Sequence, residues 1–212
     1  MIFSTQNAFG VEKKDVAYLD GGIHEDALFV GVRKEKSTNG NLFIEFEFSK
    51  DGSKLTHTEW EPNKNEGQSD EDFNSKANNQ VARILQIMGV FYSKEELQNF
   101  TFEAFDTLYS WVKSLMDVVD KTKKLRIKAV YGQSGFTSLP KYAKYTFIES
   151  MDIPKDKSKI KELVIDTFKR PRLGDTEVNS LSSSTVFGAS NVEAATEINI
   201  MNKTADIVTS PF

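Results

Sequence analysis

Residues 41–60 read NLFIEFEFSKDGSKLTHTEW, and their hydrophobic period is two. Leu42, Ile44, Phe46 and Phe48 fall on one face, with Glu45 and Glu47 on the other, the alternation of a strand buried on one side. The Asp-Gly pair in SKDGSK is a hairpin turn, because such a turn needs positive φ at its centre. LTHTEW (55–60) then returns as the next strand. Upstream, IHEDALFVGVR (23–33) is a further strand, joined through KEKSTNGN (34–41), where Asn-Gly marks the reversal. Three strands form a meander.

Downstream the period changes. After an acidic loop at 61–75, KANNQVARILQIMG (76–89) places Val81, Ile84, Leu85 and Met88 at helical spacing. Ser93 with Glu96 three residues on is a capping-box arrangement. Between Thr101 and Asp120 an apolar stripe runs through Phe102, Phe105, Leu108, Tyr109, Val112, Leu115, Met116 and Val119. Strands resume at LRIKAVY (125–131) and KYTFIES (144–150), with GQSGFTSLPKYA (132–143) as the loop between them. KSKIKELVIDTFKRPR (157–172) fits a helix and a strand equally. The order strand, strand, strand, helical insert, strand, strand is that of the OB-fold, a five-stranded Greek-key barrel. The expected organisation is an N-terminal arm (1–22), an OB-fold domain (23–173) with a helical insert at about 76–120, and a flexible acidic tail (174–212).

Charge is unevenly spread. The whole chain of 212 residues carries net −4, yet residues 121–173 hold 14 basic and 5 acidic side chains. A positive segment inside an acidic chain attracts polyanions. Aromatic rings interleave its cations, and that combination is the chemistry of single-stranded nucleic-acid binding: cations follow phosphates while rings stack on unpaired bases. In an OB-fold the flanking loops frame the binding face. Arg33, Lys34 and Lys36 belong to the first of them. The second loop and its adjoining strands supply Arg126, Lys128, Tyr131, Phe136, Lys141, Tyr142, Lys144 and Tyr145, with Tyr131, Phe136 and Tyr142 as the stacking rings. Trp60 reads equally as a stacking platform and as a core plug.

Other chemistries find little support. There is no Cys, so disulfides and thiolate metal sites are excluded. His24 and His57 are expected at exposed strand positions rather than as metal ligands. Glu45 and Glu47 read as a solvated face, and Ser182 to Ser184 have no partnered base to make a nucleophile. No catalytic, metal or cofactor site is expected. No basic segment followed by an apolar run opens the chain, and no window approaches a membrane span, so a cytoplasmic protein is expected.

The runs GIHEDALFVGV, NLFIEFEF, LTHTEWEP, VARILQI, LRIKAVY and GFTSLPKYAKYTFIE, over roughly residues 20–150, resemble the single-stranded DNA-binding proteins of tailed bacteriophages, including crAss-like phages. The resemblance implies an OB-fold that covers exposed strands during phage genome replication in the host cytoplasm, without catalysis. The terminal DIVTSPF is similar to the tail of bacterial single-stranded DNA-binding proteins, which ends in an acidic run and Pro-Phe and docks replication and repair enzymes. Asp206, Pro211 and Phe212 match that pattern, whereas Val208, Thr209 and Ser210 stand where acids are usual. The expected partners are single-stranded DNA and replication or repair proteins. The alternative is a virion structural or packaged protein that uses an OB-like domain for protein contacts, as a homo-oligomer or within a virion assembly.

Overall fold

The computed structural model describes residues 16–171, and the compact unit built from them ends at Arg170. The first strand, β1 (Gly22–Lys36), is longer than its sequence pattern suggested and pairs with two neighbours. Its first half, Gly22 to Leu28, lies antiparallel to β4 (Lys124–Tyr131), and its second half, Leu28 to Lys36, lies antiparallel to β2 (Leu42–Lys50). Register shifts between His24 and Ala27 and between Phe29 and Gly31 make this possible, since a bulge bends and twists the strand that carries it. Asp26 sits at φ 61° in the first of them.

β2 and β3 (Ser53–Trp60) form the expected hairpin, with Asp51 at φ 50° and Gly52 at φ 80°. The strand expected at 144–150 is reduced to Ile148–Ser150 (β6), which pairs with the beginning of β4, and Thr137–Ser138 (β5), inside the expected loop 132–143, pairs with its end. The sheet therefore has six strands in the order β3-β2-β1-β4-β5, with β6 also on β4. A short bridge sets Tyr18 parallel to Lys54 on β3, fixed by backbone bonds from Leu19 N to Lys54 O and from Lys54 N to Ala17 O.

Helices fill the interval between β3 and β4. α1 (Asp70–Met88) starts six residues before the expected 76, inside the expected acidic loop. Ser69 accepts from the Asp72 amide, and Asp70, Glu71 and Asp72 occupy the first turn, where the helix dipole favours negative charge. α2 (Lys94–Leu97) opens with the expected capping box of Ser93 and Glu96. α3 (Phe105–Met116) is shorter than its stripe, because Thr101 to Ala104 remain outside the helix and Thr107 caps through the Ala104 backbone. The inner face of the sheet packs Phe29, Ile44, Phe46, Phe48, Leu55, Leu125 and Ile127 against Ile84, Ile87, Met88, Val112 and Met116. No helix among the described residues is long and apolar enough to cross a membrane.

Candidate nucleic-acid interface

The structure divides the predicted cations into buried and exposed sets. Arg126 and Lys128 are buried, Lys128 at 0% exposure, and are corrections to the expected interface. Both faces of β4 are covered, so the alternation that should have sent these residues to solvent sends them under other chain segments. Arg126 pairs with Glu149 on β6 and with Glu25 at 3.2 Å. Lys128 donates to Asp166 and to the Tyr142 hydroxyl, both at 2.7 Å, and to the Lys161 carbonyl. A buried charge persists only when paired in this way. Tyr142 is corrected with them: its hydroxyl lies 3.2 Å from Asp166, and its acidity is suppressed by burial and then by that carboxylate. Its hydroxyl stays protonated within this internal network, and the side chain is half-buried rather than freely exposed.

The first predicted loop is largely strand. Arg33 donates to Glu45 from Nε at 2.8 Å and from Nη2 at 2.7 Å, and also pairs with Glu35. Lys34 pairs with Asp106 on α3 and lies 5.4 Å from the Tyr109 ring. Lys36 is exposed at the strand end. On the same outer face Lys54 pairs with Glu47 at 2.6 Å, so Glu45 and Glu47 are each matched by a neighbouring cation rather than simply solvated. Trp60 is 43% exposed and rests on Phe43, with ring centroids 4.7 Å apart. It therefore lies on the outer face and is not a core plug.

The second loop keeps its outward chemistry. Phe136 is 61% and Tyr145 42% exposed, and Lys141 and Lys144 are exposed beside them. Lys144 Nζ lies 5.8 Å from the Tyr145 ring. α1 fixes the backbone of this loop through Gln80, Arg83 and Gln86, which at i, i+3 and i+6 share one helix face. Arg83 donates to the Lys141 carbonyl at 3.2 Å, Gln86 to the Ala143 carbonyl at 2.7 Å, and Gln80 to the Trp60 carbonyl at 2.6 Å. Trp60, Lys76 and Lys141 line one shallow groove above these contacts.

Arg83 is itself positioned by Glu59, which it meets from Nε at 2.6 Å and from Nη2 at 2.8 Å. His57 completes this buried cluster, 2.9 Å from Glu59 and 3.1 Å from the Ser138 hydroxyl. The expectation of an exposed His57 is thus overturned: its inward position on β3 continues the Leu55 face. Burial would raise the Glu59 carboxyl, but Arg83 and His57 hold it at about 2.

Sequence reasoning missed two contributors. Tyr18 is exposed and meets Phe136 edge-on, 6.3 Å between centroids. The other is the segment 159–170, neither helix nor strand, which is strapped across the molecule by backbone contacts. Lys159 N donates to Glu149, Tyr131 N to the Thr167 carbonyl at 2.8 Å, and Arg170 Nε to the Gly135 carbonyl at 3.2 Å. Tyr131 is half-buried beside it, its hydroxyl on Asp20 at 2.7 Å. The available signal was the run of Lys and Arg in 155–172, which marked the charge but not the path.

Among the described residues no cluster of three or more His, Asp or Glu could hold a metal ion. Asp206, Pro211 and Phe212 lie outside the described residues. No protein-family model matches the chain, and comparison with curated proteins finds no match.

Proposed function

We propose that this chain binds single-stranded DNA through an OB-type barrel, and that the loop 132–147 and the outer end of β3 form the contact surface. The observation that carries the reading is the clamp on the loop backbone. Carbonyls of Lys141 and Ala143 turn inward to Arg83 and Gln86, the side chains of Lys141, Lys144 and Tyr145 are left to solvent, and Lys141 shares a groove with Trp60. Rings and cations held in place this way bind a flexible strand without losing their own side-chain and loop entropy twice.

Several features favour the OB arrangement. β1 pairs with both β2 and β4, and the helices lie between β3 and β4. From Phe136 to Lys141 the chain follows β3 from its Lys54 end, through the Ser138–His57 contact, to its Trp60 end. That neighbourhood is where a barrel of this type closes. Ion pairs already occupy Arg33, Lys34 and Lys54 on and beside the β1–β3 face, so the phosphate-tracking charge comes from Lys141, Lys144 and the strap. The resemblance to tailed-phage proteins supplies the setting, exposed strands during genome replication, and assigns recruitment of replication or repair proteins to the terminal Pro211-Phe212.

The test is the double variant Phe136→Ala with Tyr145→Ala, assayed by fluorescence anisotropy on a labelled dT oligonucleotide. Base–ring stacking contributes about 1–3 kcal/mol per ring, so affinity should fall at least about 30-fold. Both rings are exposed, so thermal stability should be nearly unchanged. Unaltered affinity would remove these rings from the site.

A further inference from the structure

We infer that the turn Leu163–Asp166 on the strap is a second contact element of the same surface, presenting Val164 and Ile165 as an apolar tip to unpaired bases; this rests on the single-strand-binding reading above. Val164 is fully exposed and Ile165 is 49% exposed, side by side at the centre of a four-residue turn. Central turn positions are ordinarily filled by Gly, Asn, Asp or Pro, for reasons of backbone geometry and hydration. Two adjacent aliphatic side chains there leave apolar area in water, which is unfavourable in the isolated molecule.

The turn is not slack. Asp166 N donates to the Leu163 carbonyl at 2.9 Å, and the Asp166 carboxylate accepts from Leu163 N at 2.8 Å. The same carboxylate, its side chain 1% exposed, takes the buried Lys128 ammonium and the Tyr142 hydroxyl. Holding an exposed apolar pair therefore uses a buried ion pair, and that anchoring links the turn directly to the aromatic loop. Tyr142 packs edge-on against Tyr145 at 5.6 Å, so the tip and the candidate stacking ring share one support. At its far end the strap reaches the Phe136 side of the loop through Arg170 and Gly135. The exposed residues between these points are Lys161, Glu162, Val164, Ile165, Lys169 and Arg170.

Cations on both sides of the aliphatic tip, Lys161 before it and Lys169 and Arg170 after it, outnumber the single exposed acid Glu162 and point to the ligand. Bases offer flat apolar faces at intervals along an anionic backbone, so a strand on this surface would set phosphates on the lysines and bases against the tip. A duplex conceals those faces, which gives the tip a preference for unpaired strands.

The experiment uses the full chain. Val164→Ser with Ile165→Ser removes the tip while leaving every anchor of the turn in place. Affinity for a dT oligonucleotide should fall about tenfold, the worth of two partly buried aliphatic side chains, with unchanged melting. Because the chain has no Cys, Val164→Cys also accepts a single environment-sensitive fluorophore, with the exposed Val118→Cys in the bend after α3 as the control site. Oligo(dT) should shift the emission at 164 and not at 118. Wild-type affinity in the double serine variant, or a silent probe at 164, would overturn the inference if Phe136→Ala with Tyr145→Ala still loses binding; the single-strand reading would then stand alone. If the wild-type chain does not bind oligo(dT), both fall together.

Discussion

Glu59 is a carboxylate at the foot of the candidate surface, and three neighbours depend on it. It holds Arg83, which holds the Lys141 carbonyl, and it accepts from His57 and from Gln80 at 3.3 Å. Burial acts to raise its pKa, and the ion pair and hydrogen bonds outweigh burial to bring it to about 2 from 4.5. A carboxyl depressed in the folded state stabilises the fold above its unfolded pKa and loses that contribution as pH falls towards the folded value. The unfolding free energy should therefore drop as pH goes from about 4.5 to 2, by up to about 3 kcal/mol from this group, and the melting temperature with it. Glu59→Gln should begin less stable at neutral pH by about 3–5 kcal/mol, because Arg83 is left buried without its counter-charge. The gap between the two proteins in thermal or urea unfolding should narrow across that window. Parallel curves would remove Glu59 from the clamp.

At the scale of elements, what was legible in the sequence was local. The Asp51-Gly52 turn, the Ser93–Glu96 capping box and the alternation of 42–48 each involve residues within a few positions of one another, and each formed as expected. The strap was not legible, because its anchors lie far along the chain: Lys128 is 38 residues from Asp166; the Arg126 pair with Glu149 on β6 was hidden likewise, at 23 residues. Neither basic residue carries a local sign that an acid will cover it. The strap also sits unusually close to the chain below. A Cβ added at Gly21 would lie 2.5 Å from the Phe168 carbonyl oxygen and 2.7 Å from its Cα, both backbone atoms that cannot swing away. Gly21→Ala should lift the strap, speeding hydrogen exchange at 159–170 and weakening oligo(dT) binding. Gly31→Ala, whose Cβ meets nothing within 4 Å, is the control and should do neither. Equal protection in both variants would mean that the strap is not held there.

For the whole molecule, the asymmetry of charge survives the loss of two of its cations. Arg126 and Lys128 are neutralised internally, while Lys141, Lys144, Lys159, Lys161, Lys169 and Arg170 remain at least partly exposed. The mainly β architecture with helices between β3 and β4 was readable from periodicity. The short strand β5 was not, since Gly132, Gly135 and Pro140 gave 132–143 only loop signals and its pairing is set by β4; of the strand expected at 144–150 only Ile148–Ser150 pairs. The candidate surface was half readable: ring and lysine identities marked the loop, but only packing separates Tyr142, whose hydroxyl is turned inward, from Tyr145, which is turned outward.

The most direct test is fluorescence anisotropy of a labelled dT oligonucleotide and of a duplex of equal length, each titrated with the full chain at several salt concentrations. The account predicts clear preference for the single strand and a linear fall of log affinity with log salt, with a slope of about −3 to −4 if about four to six phosphates are engaged. Equal affinity for the two forms, or no binding to either, would contradict it and assign the exposed rings and lysines of residues 136–170 to a protein partner.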